Sequence, residues 1–209
     1  MKADEVVLDP ELSVSLPPHL TAATGIDALV HAIEACTNRN AFAANDVFCH
    51  AAIGLAARWL RRAVAEPADL EARGGMLLAA AYAGIGIDNA GTALAHNIGH
   101  ALGSLAHIHH GRAVGVAMLR TLDWCCTGDD GRCAAAARAF GSGRNLPEAF
   151  AEIAGEVGLD LSLGTDLSPE RLAAQMARPE NAAMRLSNRR EVRDEDLLPL
   201  ARRVLGGGR

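Results

Sequence analysis

The chain has 209 residues, 50% of them hydrophobic but only 3% aromatic, with a formal net charge of −5 at neutral pH. That length and apolar share allow a sizeable core in one or two domains, and the dominance of alanine and leucine favours close-packed helices over sheet. Basic residues scattered through an acidic chain exclude an electrostatic footprint for nucleic acid or a membrane surface. No run of about 18 uninterrupted apolar residues occurs, and the charges in MKADEVVLDPE fall where a signal peptide needs its apolar core. The expected location is therefore the cytoplasm. Five cysteines, an odd number in no disulfide-framework spacing, agree with a reducing compartment.

In chain order, residues 5–8 read as an extended lead-in and 206–209 as a flexible tail, so a single helical domain is expected over 1–209. Pro17 and Pro18 suit the first turn of a helix, where a missing N–H has no partner to lose. This predicts a short helix to about Thr24, a break or bend at Gly25, and a second helix from Ile26 to about Thr37. His19, just after the prolines, is expected to be exposed and inert. Asn45 or Asp46 offers an N-cap for a helix to about Val64, with Val47, Ala51, Leu55, Trp59 and Leu60 facing the core. His50 lies in that helix with nothing to pair with in sequence, and reads as structural.

Asp69 opens a long helix to about Ile87, and its small residues (Gly74, Gly75, Ala79, Ala80, Ala81, Ala83, Gly84) place it at the centre of the bundle. Asp88–Gly91 is a break, followed by a helix to about Leu105. Gly99 and Gly103 there cost about 1 kcal/mol each in helix propensity, tolerable where a ligand or a neighbouring backbone must come close. A buried helix from Ala113 to about Leu122, core packing for Trp124, a loop at Gly128–Gly131, and helices near 132–140, 147–157, 168–177 and 194–205 complete the reading. The segment Glu180–Arg193 has little periodicity. Cys36 and Cys49 read as small buried residues, while Cys125, Cys126 and Cys133 lack the paired spacing a structural zinc site prefers.

One stretch stands apart. Five of the eight histidines fall in GTALAHNIGHALGSLAHIHHG, residues 91–111. His96 and His100 are four apart, one turn above each other on a helix, and upstream Asp27 and His31 make a second such pair. One carboxylate and several imidazoles on two helices form a plausible first shell for a divalent transition metal with an open position. Spacing alone does not choose between His109 and His110, and either helical pair by itself also fits an ordinary surface pair.

The segment from Leu8 to Glu34, with its LPPHLTAATGIDALVHAIE run, followed by AHNIGHALG at 95–103 and HHG at 109–111, resembles the carboxy-terminal half of the iron-containing alcohol dehydrogenases. The resemblance extends through Met76–Gly84, Asn89–Gly91 and Pro179–Arg185. It implies an all-α helical bundle of the dehydroquinate synthase-like type, with Asp27, His31, His96 and His110 as metal ligands and His100 as an additional active-site histidine. It also implies Fe(II), with Zn as the alternative, and hydride transfer between a small alcohol or aldehyde and NAD(P).

No glycine-rich turn between a strand and a helix occurs, since Gly84–Gly86, Gly141–Gly143 and Gly206–Gly208 all lie in other contexts. The expectation is thus the metal-binding half of an oxidoreductase, its nicotinamide supplied by a separate nucleotide-binding chain or by sequence lost upstream, with a homodimer also open. The competing reading is a non-catalytic metal-binding helical protein derived from that family.

Overall fold

The computed structural model describes residues 3–206, which contain ten α-helices, two 3-10 turns and no strand. No helix among them is long and apolar enough to cross a membrane. Of the tail expected at 206–209, Gly206 closes the last helix and the rest lies outside the described residues.

Helix α1 runs unbroken from Pro18 to Thr37, straight through Gly25, where a break was expected. The reason is contact: a Cβ at Gly25 would lie 2.2 Å from Leu60 Cδ1 of α2 (Ala43–Ala65), so the glycine lets two helices approach instead of ending one. Twelve residues of α1 are buried, and it packs against α2, α3, α5 and α6, which makes it the centre of the bundle.

The α2 helix starts earlier than its expected cap, after Phe42, and neither Asn45 nor Asp46 caps it. Asn45 instead sits buried in the first turn, its amide donating to Ala35 O of α1 and Gly86 O of α3 (Leu70–Ala90), and so stitches three helices together. The buried stripe is Cys49, Ala52, Ile53, Ala56, Trp59, Leu60 and Ala63, while Val47 is 66% exposed and Ala51 is exposed too. Trp59 and Leu60 are buried and Leu55 packs against the core, as expected, whereas Val47 and Ala51 each lie two residues from Cys49, about 200° round the helix, and point outward.

Asp69 caps α3 as expected, accepting from Ala72 N–H at 3.0 Å. Its small residues meet α1 and α2 along one stripe only, Ala72, Ala79, Ala83, Gly86 and Ala90, and Ala80 and Ile85 face outward, so α3 flanks the bundle instead of occupying its centre. Buried Arg73 ties the lead-in segment to this helix by donating to Leu16 O, Pro67 O and Thr21 Oγ1.

Helix α4 (Leu94–Ala106) ends at His107, which adopts the left-handed conformation at φ 52°, and α5 (His110–Cys125) begins three residues earlier than expected. The remaining helices, α6 (Arg132–Phe140), α7 (Leu146–Glu156), α8 (Pro169–Met176), α9 (Ala182–Ser187) and α10 (Asp194–Gly206), close the far side, and all of them but α9, which buries no residue, share one contiguous core with α1 to α5. The segment Glu180–Arg193, expected to be irregular, contains α9 and the end of a 3-10 turn at Pro179–Asn181. His19 is exposed and His50 half-buried. Trp124 is half-buried against the core, with the Arg190 guanidinium 3.9 Å over its ring and donating to its carbonyl.

Cys36 and Cys49 are buried thiols, as expected. Cys126 and Cys133 are instead joined in a disulfide that bridges the end of α5 and the start of α6, against the expectation of free thiols. The spacing that does not suit zinc leaves Cys126 free to pair with Cys133 across the glycine loop, while Cys125 stays a free thiol. For a separation of 7 residues the constraint on the unfolded chain is worth about 2 kcal/mol. Reduction with dithiothreitol is therefore expected to lower the unfolding free energy by that amount and the denaturant midpoint with it, and an unchanged midpoint would show the bond to be absent or without effect.

Candidate metal centre

Three helices deliver the acidic and imidazole groups to one place. Asp27 and His31 lie one turn apart on α1, His96 and His100 one turn apart on α4, and His110 is the first residue of α5. Asp27 Oδ1 is 3.5 Å from His96 Nε2 and 3.6 Å from His110 Nε2, and one ligand atom from each of the three falls within 4.8 Å of the others. The His31 ring stacks on His96 with centroids 4.4 Å apart and lies beside that grouping, not inside it. The His100 ring is 5.3 Å from His110 and 6.3 Å from His96, on the exposed side. His107 and His109 are exposed.

Asp27 Oδ1 and His96 Nε2 are buried and have no hydrogen-bond partner. Buried polar atoms left unpaired are unfavourable, and their presence in a native fold asks for a missing partner. A divalent ion suits these atoms in both donor chemistry and size. With bonds of ~2.1 Å, the edge of a tetrahedral coordination shell is about 3.4 Å, close to the 3.5 and 3.6 Å found here. The site is closed at His96, whose side chain is 3% exposed, and open at His110, which is 46% exposed. A cleft of about 350 Å³ lined by His100, His110, Ser104, Ile108 and Asn181 lies on that open side.

Close backbone approach is what brings the three helices within reach. A Cβ at Gly111 would lie 2.3 Å from Ala23 O of α1, so the residue after His110 must be glycine if α5 is to start against Asp27. Gly99 does the same between α4 and α5, where a Cβ would meet Val114 Cγ2 at 2.5 Å, whereas Gly103 has nothing nearer than 3.9 Å. Of the two glycines questioned in the histidine helix, one is explained by a neighbour.

One residue of the site was missed in the sequence. Glu34, on α1, is buried, and its Oε2 lies 2.7 Å from His96 Nδ1 while its two oxygens accept from Ala93 N–H and Ala95 N–H at 2.7 and 2.6 Å. The signal was present: Glu34 is seven residues after Asp27, two turns along the same face, and interrupts a stripe of buried apolar residues.

Electrostatics separate the imidazoles. Burial pushes His31 down to about 4, with the neighbouring His96 adding to the effect, so it is neutral at physiological pH and offers a free lone pair. Burial also opposes charge on His96, but Glu34 and Asp27 on either side outweigh it and raise the ring to about 9. Burial alone would raise the Asp27 carboxyl. The facing His96, His31 and His110 together hold it below the usual range instead. Burial lowers His100, reinforced by His110 and His96.

A carboxylate and imidazoles gathered at the start of α5, just before a glycine that permits the contact, coincide with a match to the family model for "Fe-containing alcohol dehydrogenase family, C-terminal" over residues 21–204. The chain belongs to the iron-containing alcohol dehydrogenase family. Within that family, it is 42% identical over 135 residues to choline dehydrogenase of Bacillus subtilis (strain 168), covering 65% of this chain and 34% of that protein. It is 47% identical over 111 residues to long-chain-alcohol dehydrogenase 1 of Geobacillus thermodenitrificans (strain NG80-2), covering 53% and 28%. Among solved structures, 1,3-propanediol oxidoreductase superposes with a TM-score of 0.85 at 29% identity, covering 94% of this chain and 54% of that one. The chain thus spans about half the length of that solved relative, and the helical bundle is the part of an iron-containing alcohol dehydrogenase that it matches.

Proposed function

We propose that this chain is the metal-binding part of an oxidoreductase that moves hydride between a small alcohol or aldehyde and NAD(P). The observation that carries the reading is the convergence of Asp27, His96 and His110 from three helices, with two buried atoms that lack partners. Relatives that act on small alcohols and aldehydes support the substrate class: a 1,3-propanediol dehydrogenase of Klebsiella pneumoniae and a sulfoacetaldehyde reductase of Bilophila wadsworthia. A sulfoacetaldehyde reductase from Bifidobacterium kashiwanohense, solved with NAD+, supports the nicotinamide.

In this reading Asp27, His31, His96 and His110 hold Fe(II), or Zn(II) in its place. Bound there, the ion would supply Lewis acidity toward the substrate oxygen, and a nicotinamide bound outside these residues would supply the hydride chemistry. The side chains do the rest. Asp27 contributes the one negative charge among the four, His31 stays neutral through burial, and His96 closes the dry end of the site. Substrate reaches the open end through the cleft beside His110. His100, neutral and exposed there, accepts or passes the alcohol proton at a ring nitrogen or shapes that wall.

The test is anaerobic loading with Fe(II) or Zn(II), metal analysis, and a calorimetric titration of the loaded chain with NADH and NADPH. About one ion per chain is expected, with strong loss in Asp27→Ala and His110→Ala. Substoichiometric metal in the parent, or full retention in both variants, overturns the site. Saturable nicotinamide binding justifies an alcohol assay on this chain, and none assigns the nucleotide to another polypeptide segment.

A further inference from the structure

Resting on the reading of the site as a metal centre, we propose that Glu34 is the positioning residue for His96, one buried carboxylate that fixes both the imidazole and the helix carrying it. The proton on the ring follows from the acceptor count. Both Glu34 oxygens already accept a backbone N–H, from Ala93 and Ala95, and a carboxylate in that role has only lone pairs to offer. His96 Nδ1 is therefore the donor in its 2.7 Å contact with Oε2. Nε2 is left as the only ring nitrogen available to Asp27 and His110, and its buried, unpartnered state in the fold agrees.

The same carboxylate anchors the helix. The first N–H groups of any helix lack intrahelical partners, and the residue before α4 is Ala93, whose side chain cannot cap them. Glu34 reaches across from α1 and serves as a cap supplied from outside, at a helix end that favours negative charge. Ring and helix are thus fixed to α1 by three bonds of 2.6 to 2.7 Å, seven residues from Asp27 on the same helix. Two side chains of α1 thus bear on the distance between Asp27 Oδ1 and His96 Nε2: Asp27 supplies one end, and Glu34 holds the ring at the other. A carboxylate bonded to the far nitrogen of a ligating histidine orients the ring and raises its basicity.

A carboxylate that merely capped α4 would use the two backbone bonds and leave the ring indifferent to it. Glu34→Gln separates the two roles, because a glutamine oxygen can replace one acceptor but its NH2 group faces a donor. With histidine-labelled chain free of metal, the parent is expected to show a downfield, slowly exchanging His96 Nδ1 proton that disappears in Glu34→Gln. Zn(II) affinity, measured by chelator competition, is expected to fall about 10–100-fold in that variant while far-UV helicity holds.

Equal Zn(II) affinity in the parent and Glu34→Gln, with His96→Ala weakened, overturns the proposal and leaves Glu34 as a cap. If the parent and His96→Ala both fail to bind Zn(II), the metal reading itself fails, and the ring proton still decides whether Glu34 holds His96. Should Glu34→Gln not fold, the parent spectrum decides: an unprotonated Nδ1 overturns the assignment, and a protonated, slowly exchanging one supports it.

Discussion

His96→Ala is expected to abolish stoichiometric metal binding and to destabilise the metal-free chain by about 3–5 kcal/mol, the range for removing one partner of a buried charge pair. The size follows from the surroundings. His96 is 3% exposed between Glu34, 4% exposed, and Asp27, and without the ring Glu34 keeps its backbone bonds but loses the positive charge that separates it from Asp27. With its pKa raised to about 9 against an ordinary 6.5, the ring binds more protons in the folded than in the unfolded chain between those values. Its ionic contribution is then complete below about pH 6.5 and fades as pH rises through about 9. The gap in denaturant stability between the parent and His96→Ala should narrow over that window. A gap that widens with pH would contradict the charge assignment.

Gly111→Ala is the second large effect, although it removes no functional group. The added Cβ would sit 2.3 Å from Ala23 O and 2.8 Å from Ala23 C, both backbone atoms of the central helix, and 3.3 Å from Asp27 Cβ. Neither helix has a side chain to rotate away, so α5 must back off from α1 and carry His110 with it. Overpacking ordinarily costs about 1–3 kcal/mol, and a clash between backbones belongs at the upper end. Metal affinity is expected to fall at least about tenfold, equivalent to about 1.4 kcal/mol. Gly103→Ala is the control, since its Cβ would meet nothing nearer than Ile108 O at 3.9 Å, and it should bind metal as the parent does and gain up to about 1 kcal/mol of helix propensity. Equal affinity in the two variants would show that the α1 to α5 contact does not set the site.

These two positions also show what the sequence could reveal. The helices were legible because apolar residues recur every three to four positions, and Asp27, His31, His96 and His100 stood out through their four-residue spacing. His110 was chosen over His109 by family resemblance, and the fold brings its Nε2 near Asp27 while His109 stays exposed. Gly25 was misread because a glycine in a helical pattern signals a break or a close neighbour with equal force, and Leu60, which decides the matter, lies on another helix. Val47 was misplaced because the start of α2 depends on buried Asn45 bridging α1 and α3, a contact with no local signature. Glu34 escaped notice for the same reason: its partners, Ala93, Ala95 and His96, lie about sixty residues downstream.

The separate origin of the three converging groups changes what an ion would do for the chain as a polymer. A carboxylate on α1 and imidazoles on α4 and α5 joined to one centre form a removable crosslink, closing loops that span the first half of the sequence. Unlike a covalent bridge, such a closure exists in the folded chain alone, so it stabilises by binding the native state and does so only while the ion is present. The half of the fold from α1 to α5 then responds to metal supply in its stability, whereas the half from α6 to α10 is linked to it through packing and the Cys126–Cys133 bond. Chelation should consequently loosen the start of α5 against α1 before it disturbs α8 and α10, a sequence of opening that amide hydrogen exchange resolves helix by helix.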